Sequence, residues 1–187
     1  MRKTLIVMVK EPRPGRVKTR LGAGLGLVGA AWWYRHQVAR LLREVDDPRW
    51  RVVLAVAPDR EGLASRIWPR VFDRVAQGGG DLSARMTRAL RQAGPGPVCL
   101  IGSDIPGIRQ RHIAEAFEAL GRADAVFGPS EDGGYWLVGI RHAVPRGMFD
   151  KVRWSSAQAL ADSEASLEGL RVARVAMLRD VDTVDDL

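Results

Sequence analysis

Apolar residues in this chain fall in short β-branched runs that alternate with stretches of helical period. The first run, residues 5–9, predicts a buried strand, and residues 28–44 then place Ala31, Val38, Leu41, Leu42 and Val45 on one helical face. Residues 51–57 predict a second strand, closed by Pro58 and Asp59, and residues 71–76 a weaker third. The loop Gln77-Gly-Gly-Gly-Asp81 leads into a helix over 82–93, which Asp81 is placed to cap and Gly94-Pro-Gly-Pro97 stops. Residues 98–102 form the clearest buried strand, followed by a helix over 109–120. Strands over 123–127 and 135–140 flank a turn-rich segment, a helix over 155–167 precedes a strand over 172–178, and Thr183 is placed to cap a last helical turn. Such alternation implies a mostly parallel mixed sheet with helices on both faces, a three-layer α/β/α sandwich. At 187 residues the chain falls short of an eightfold barrel of about 250, and no repeat or linker divides it, so one domain over 1–187 is expected.

The junction after the first strand carries the strongest chemical signal. The apolar run breaks into Lys10-Glu-Pro-Arg-Pro-Gly-Arg-Val-Lys-Thr-Arg20, where five cations face one carboxylate. Pro12, Pro14 and Gly15 shape the backbone, and Lys10, Arg13, Arg16, Lys18 and Arg20 supply charge for an anion. In an open α/β sheet such a loop lies at the carboxyl edge, where ligands bind. A solvated basic loop is the plain alternative.

Composition narrows the partner. The net charge of +7 favours anions, yet the basic residues are spread along the chain without a zinc-finger or RNA-binding signature. Nucleic acid therefore ranks below nucleotides and sugar phosphates. The single cysteine, Cys99, lies in an apolar run, which excludes an internal disulfide and favours a core thiol. The apolar stretch after Arg2 and Lys3 is too short for a secretory signal, and no segment reaches the roughly 18 apolar residues of a membrane span, so a cytoplasmic protein is expected.

Three further segments carry candidate chemistry. The strand over 98–102 delivers Asp104 to the sheet edge, and Pro106 ends it. A hard carboxylate there suits Mg2+ or Mn2+, which is held by one or two carboxylates and substrate phosphates. A second carboxylate is available from Asp180 or Asp182 after the last strand, with Val181 separating them onto opposite faces; Asp185 and Asp186 read as solvated. In the glycine loop before residue 82, a base or phosphate can approach the backbone, with Arg85 one turn inside the helix. The segment Asp132-Gly-Gly-Tyr-Trp136 offers Asp132 for hydroxyls or a proton and Tyr135 and Trp136 for stacking, although a tight turn with a half-buried Trp explains much of it too. His36, His112 and His142 lack metal spacing, Ser103 and Ser155 lack a nucleophile elbow, and Trp32 and Trp33 read as core or interface. A homodimer is a further expectation.

Taken in order, Lys10-x-Pro-x-Pro-Gly15 with Val17-Lys-Thr-Arg-Leu21, Gly80-Asp-Leu-x-x-Arg-Met86, Ile101-Gly-Ser-Asp-x-Pro106, Asp132-Gly-Gly-Tyr-Trp-Leu137 and Asp180-Val-Asp-Thr183 span nearly the whole chain. This set resembles a bacterial family of small glycosyltransferase-like proteins, formerly a domain of unknown function of the selenium/radical-SAM-associated type, within the nucleotide-diphospho-sugar transferase superfamily. Ser83 departs from the family pattern, which usually has glycine there. The resemblance implies the A-type glycosyltransferase fold and a nucleotide held with Mg2+ or Mn2+. It implies nucleotide contacts from Lys10, Pro14, Gly15, Lys18, Thr19, Arg20, Gln77, Gly80, Asp81, Arg85 and Ser103. Asp104 and Asp182 would hold the metal, and Asp132, Gly133, Gly134, Tyr135 and Trp136 the acceptor.

The leading expectation is metal-assisted glycosyl transfer from a nucleotide sugar to a small acceptor, with Lys18 stabilising the departing diphosphate and Asp132 as acceptor base. The alternative keeps the site but moves a nucleotidyl group, guanylyl first, from a nucleoside triphosphate to a phosphorylated acceptor. A non-catalytic nucleotide or nucleic-acid binder is the third reading.

Overall fold

Strand β1 (Thr4–Lys10) runs through the sheet's interior, and its alternating side chains feed two cores. Leu5, Val7 and Val9 join one, while Ile6 and Met8 join the other. The computed structural model describes residues 2–94, 96–181 and 183–186.

β2 (Arg51–Ala57) and β4 (Val98–Ile101) flank β1 and run parallel to it, and β3 (Asp73–Ala76) lies beyond β2. β6 (Tyr135–Ile140) pairs antiparallel with β4 and with β5 (Ala125–Pro129), and β7 (Val172–Arg174) closes the edge parallel to β5. The order is therefore β3-β2-β1-β4-β6-β5-β7, a mostly parallel mixed sheet as the pattern predicts. The chain winds outward from β1 through β3, then returns to β4 on the other side of β1. That reversal opens a crevice at the carboxyl ends of β1 and β4.

Helices α1 (Thr19–Val45) and α4 (Gln110–Ala119) cover the face of Leu5, Val7 and Val9 through Tyr34, Val38, Leu41, Ile113 and Phe117. α3 (Leu82–Gln92) covers the other through Met86, Ala89 and Leu90, with Leu160 of α5 (Ala159–Ala165) packed beside them. α2 (Asp59–Ala64), missed in the sequence pattern, follows β2 with Gly62 pressed on Val56. Cys99 is fully buried, as expected of a core thiol, and burial pushes its thiol pKa up.

β5 is shifted two residues along from the expected 123–127, β3 starts two residues later than expected, and three boundaries differ more. α1 begins at Thr19 rather than residue 28, because its glycine-rich first turns are helical except at Gly26, where φ of 73° breaks the run. The helix expected over 155–167 is confined to α5, and the strand expected over 172–178 ends at Arg174. The terminal 3-10 turn, Val184–Asp186, does form, but with the polarity of its start reversed: the backbone N–H and hydroxyl of Thr183 both donate to Asp186, at 2.8 and 2.9 Å. Asp186 also pairs with Arg179 at 2.6 Å, so it is tied down rather than solvated. No helix is long and apolar enough to cross a membrane among the described residues.

Candidate functional site

After β1 the chain makes a turn over Pro14, Gly15 and Arg16, and α1 begins only past Lys18, whose φ of 45° and ψ of 50° lie in the left-handed region. That kink aims Lys18 back at the end of β4, where its Nζ meets Asp104 Oδ2 at 2.8 Å. The lysine side chain is 8% exposed and that of Asp104 36%, so one partner is buried and the other faces the crevice. Beneath them, the Tyr34 hydroxyl accepts from the Lys10 backbone N–H at 3.0 Å and shares a 2.8 Å hydrogen bond with Ser103 Oγ. This ties α1, β1 and β4 together at the mouth.

A cavity of about 720 Å³ opens here, bordered by Lys10, Lys18, Thr19, Arg20, Gln77, Gly80, Asp81, Arg85, Ser103 and Asp104. Four cations against two carboxylates make it a place for an anion. Nine of the eleven residues expected to contact a nucleotide border it; Pro14 and Gly15 do not. Arg13 and Arg16, counted among the loop's anion-binding charges, instead approach Glu61 at 3.4 and 3.8 Å. Val17, Tyr34, Leu82 and Ser155 join the lining without having been singled out as nucleotide contacts, since tertiary packing alone brings them there.

The floor is set by Gln77, which is 2% exposed. Its Nε2 donates to the carbonyls of Val9 at 3.1 Å and Ala55 at 2.8 Å, satisfying acceptors at the ends of β1 and β2. A flipped amide would set oxygen against oxygen, so the carboxamide has one orientation. Arg88 donates to the carbonyls of Gln77 and Gly79, and Asp59 accepts from the Gly78 N–H at 3.0 Å, which holds the glycine loop rigid. Asp81 caps α3 as expected, accepting from the Ala84 N–H at 2.8 Å. We predict that Gln77→Leu removes two buried side-chain hydrogen bonds and lowers unfolding free energy by about 1–3 kcal/mol, measured by urea denaturation.

A second cavity of about 350 Å³ adjoins the first and is bordered by Asp104, Asp132, Gly134, Tyr135, Ser155 and Asp180. Asp132 accepts from the Gly134 N–H at 2.9 Å, and Gly133, at φ of 83°, lies so close to the Ala157 backbone that no side chain fits. Strand alternation splits the aromatic pair. Tyr135 packs with Phe127 and Trp154 on the cavity side. Trp136 turns to the opposite core, is 1% exposed, and donates its indole N–H to the Ala176 carbonyl at 2.9 Å. Trp136 borders the second cavity, but the expectation that its ring stacks on a ligand is corrected, because the ring is a core element. Of the other pair, Trp33 packs on the core and Trp32 is exposed.

Burial pushes the Tyr34 phenol up to about 12 and raises that of Tyr135 as well. The sequence has just these two tyrosines. A phenol with a raised folded pKa leaves stability intact below its unfolded value of 10.0 and drains it as pH climbs from there toward 12. Alkaline titration should thus show little phenolate absorbance near pH 10 in the folded protein, with ionisation delayed toward pH 12 or until the chain unfolds.

The C-terminal segment reaches the same edge. Val181, itself buried, donates its N–H to the Asp104 carbonyl at 3.3 Å, and Val184 sits on Gly24 of α1 so tightly that a Cβ there would collide. Asp182, expected as the second metal ligand, lies outside the described residues; Asp180 borders the second cavity together with Asp104. Among the described residues, no three His, Cys, Asp or Glu side chains converge as a metal cage. Two carboxylates on one open cleft nonetheless suit a hard cation that draws its remaining ligands from substrate phosphates and water.

Comparison with known proteins agrees with this architecture. Residues 41–156 match the family described as "Uncharacterized protein conserved in bacteria (DUF2064)". The fold superimposes with a TM-score of 0.90 on a protein from Desulfovibrio desulfuricans G20 provisionally named a nucleotide-diphospho-sugar transferase, at 34% identity over 100% of this chain and 85% of that one. Rv0371c from Mycobacterium tuberculosis H37Rv, in complex with manganese, gives a TM-score of 0.59 at 16% identity over 100% and 96% of the two chains. The 4-diphosphocytidyl-2C-methyl-D-erythritol synthase from Anaerococcus prevotii DSM 20548 gives 0.62 at 12% identity, over 99% and 92%. No curated protein matches the sequence significantly.

Proposed function

We propose that this chain, which belongs to the DUF2064 family and is a transferase with the nucleotide-diphospho-sugar transferase fold, moves a glycosyl group from a nucleotide sugar to a small acceptor with a divalent cation. The observation that carries this reading is the Lys18–Asp104 pair, set between a cationic cavity and a second cavity lined by Asp132 and Asp180. In this reading Lys10, Lys18, Thr19, Arg20 and Arg85 hold the diphosphate, while Gln77, Gly80, Asp81 and Ser103 border the nucleoside. Asp132, Gly134 and Tyr135 orient the acceptor.

Asp104, with Asp182 or Asp180 as the second carboxylate, would hold Mg2+ or Mn2+; manganese is found with the fold neighbour Rv0371c. When bound, such an ion neutralises charge on the departing diphosphate. The acceptor oxygen attacks the anomeric carbon and the carbon–oxygen bond to the β-phosphate breaks. The hydroxyl proton passes to Asp132, and Lys18 stabilises the released nucleoside diphosphate. The exposed Leu25, Val28 and Trp32 on α1 support a homodimer contact.

Nucleotidyl transfer uses the same residues, and a fold neighbour complexed with CTP, a CMP:2-keto-3-deoxy-manno-octonic acid synthetase at 12% identity, speaks for it at the level of fold. In that reading of this chain an acceptor phosphate attacks the α-phosphorus and pyrophosphate leaves. Incubation with nucleoside triphosphates and nucleotide sugars plus Mn2+ separates the readings. Nucleoside diphosphate release supports glycosyl transfer, and pyrophosphate release replaces it with nucleotidyl transfer. Metal-independent binding of any polyanion, lost steeply with salt, would leave only a binder.

A further inference from the structure

Ser155 borders both cavities described above and also a third, polar cavity of about 530 Å³ lined by Arg20, Glu131, Asp132, Arg179 and Asp180. Its φ of 58° places a non-glycine residue in the left-handed region. Such a conformation persists only where the surroundings impose it, and it tends to occur at ligand sites.

The surroundings do impose it. Upstream, Arg153 pairs through two nitrogens with Asp162, at 2.9 Å each, and Trp154 donates its indole N–H to Ser83 Oγ at 2.8 Å. Ser83 in turn donates to the Phe149 carbonyl at 3.1 Å. Downstream, Ala157 packs against Gly133, and the Leu160 N–H donates to the Gly133 carbonyl at 3.0 Å. Ser156 spends its hydroxyl on the Arg153 carbonyl at 2.6 Å, whereas the exposed hydroxyl of Ser155 has no hydrogen-bond partner among the described residues. A strained, braced backbone thus presents one uncommitted hydroxyl where three cavities meet.

We propose that Ser155 is a substrate-contacting residue that hydrogen-bonds the hydroxyls of the transferred sugar. This rests on the glycosyl-transfer reading and deepens it. Cations border the first cavity and suit phosphate. The second cavity, which Ser155 also borders, is lined by Asp104, Asp132 and Asp180 with no lysine or arginine among the described residues, a lining that suits a neutral, hydroxyl-rich group, and a serine can both donate and accept. Ser83, the departure from the family's usual glycine, becomes a positioning residue, since it tethers the indole one residue before Ser155.

Calorimetry with Mn2+ tests this using a nucleoside diphosphate and the matching nucleotide sugar, taken as the pair that the wild-type chain binds most tightly. Ser155→Ala should weaken the nucleotide sugar about five- to tenfold and leave the diphosphate within about twofold. Ser155→Gly, which relieves the backbone, should show the same split with an unchanged or higher melting temperature. Ser83→Gly should show a smaller split in the same direction. Equal loss of both ligands in Ser155→Ala, loss of neither, or an effect in Ala but not in Gly overturns the role of Ser155 while glycosyl transfer stands. Failure of the wild-type chain to bind any such pair overturns both.

Discussion

Asp104→Asn is expected to abolish metal-dependent nucleotide binding. The substitution keeps the shape of the side chain and removes the charge that both a divalent cation and Lys18 require. Even residues that act on a metal through its ligands cost about 10–100-fold when lost, so Asp104, as the proposed direct ligand, should cost at least about 100-fold in Mn2+-dependent nucleotide affinity and in turnover. Stability should fall far less, by about 1 kcal/mol, because the Asp104 side chain is 36% exposed and solvent screens the pair. Titration of the variant with nucleotide, with and without Mn2+, measures the effect. Undiminished Mn2+-dependent binding would remove Asp104 from the metal site and leave the cavity as an anion pocket alone.

Lys18→Met should separate two properties that Asp104→Asn loses together. Lys18 Nζ sits on Asp104 Oδ2, so a cation arriving at that carboxylate must compete with an ammonium group whose side chain is 8% exposed. Removal of the ammonium should raise the affinity for Mn2+ in the absence of nucleotide. Turnover should nevertheless drop by about 10²–10³-fold, the usual cost of deleting a donor aimed at charge that develops in the transition state. In this account Lys18 exchanges a carboxylate for a phosphate when substrate enters. The check is the concentration of free Mn2+ at equilibrium, followed by electron paramagnetic resonance beside the reaction rate. If metal affinity and rate fell together, Lys18 would be a structural support of Asp104 rather than its competitor.

The expected meeting of distant segments can be traced residue by residue. The loop after β1 and the turn after β4 were both legible as sheet-edge segments, because an apolar strand that ends in turn residues has to deliver the next polar group at its carboxyl end. The glycine loop and Asp81 were legible for the same local reason: a short side chain before an amphipathic run caps a helix. The fate of the loop's charges was not. Arg13 and Arg16 lean toward Glu61 of α2, an element the pattern missed, so local charge could not tell which cations would face the cavity. Trp136 went the other way for a similar reason. A period of two predicts that adjacent aromatics face opposite sides, but which of them is buried depends on the helix that covers each face.

Ser155 marks the limit of reading along the chain. It stood in a stretch expected to begin a helix, in a Ser-Ser pair that fits no nucleophile pattern, and its position depends on Ser83, Gly133 and Asp162, none of them its neighbour in sequence. Local order along the chain carries the element types, the strand-edge loops, the excess of positive charge and the choice of carboxylates for a hard cation, since propensity, periodicity and charge act over a few residues. Which groups face one another was left to packing: the Lys18–Asp104 pair, the one-way amide of Gln77, the C-terminal segment pinned at Asp104 through Val181 and the junction at Ser155. Several of those contacts join distant segments, Gln77 to Val9 across 68 residues and Trp154 to Ser83 across 71, and they exist only once burial of two apolar sheet faces has fixed the strand order around β1.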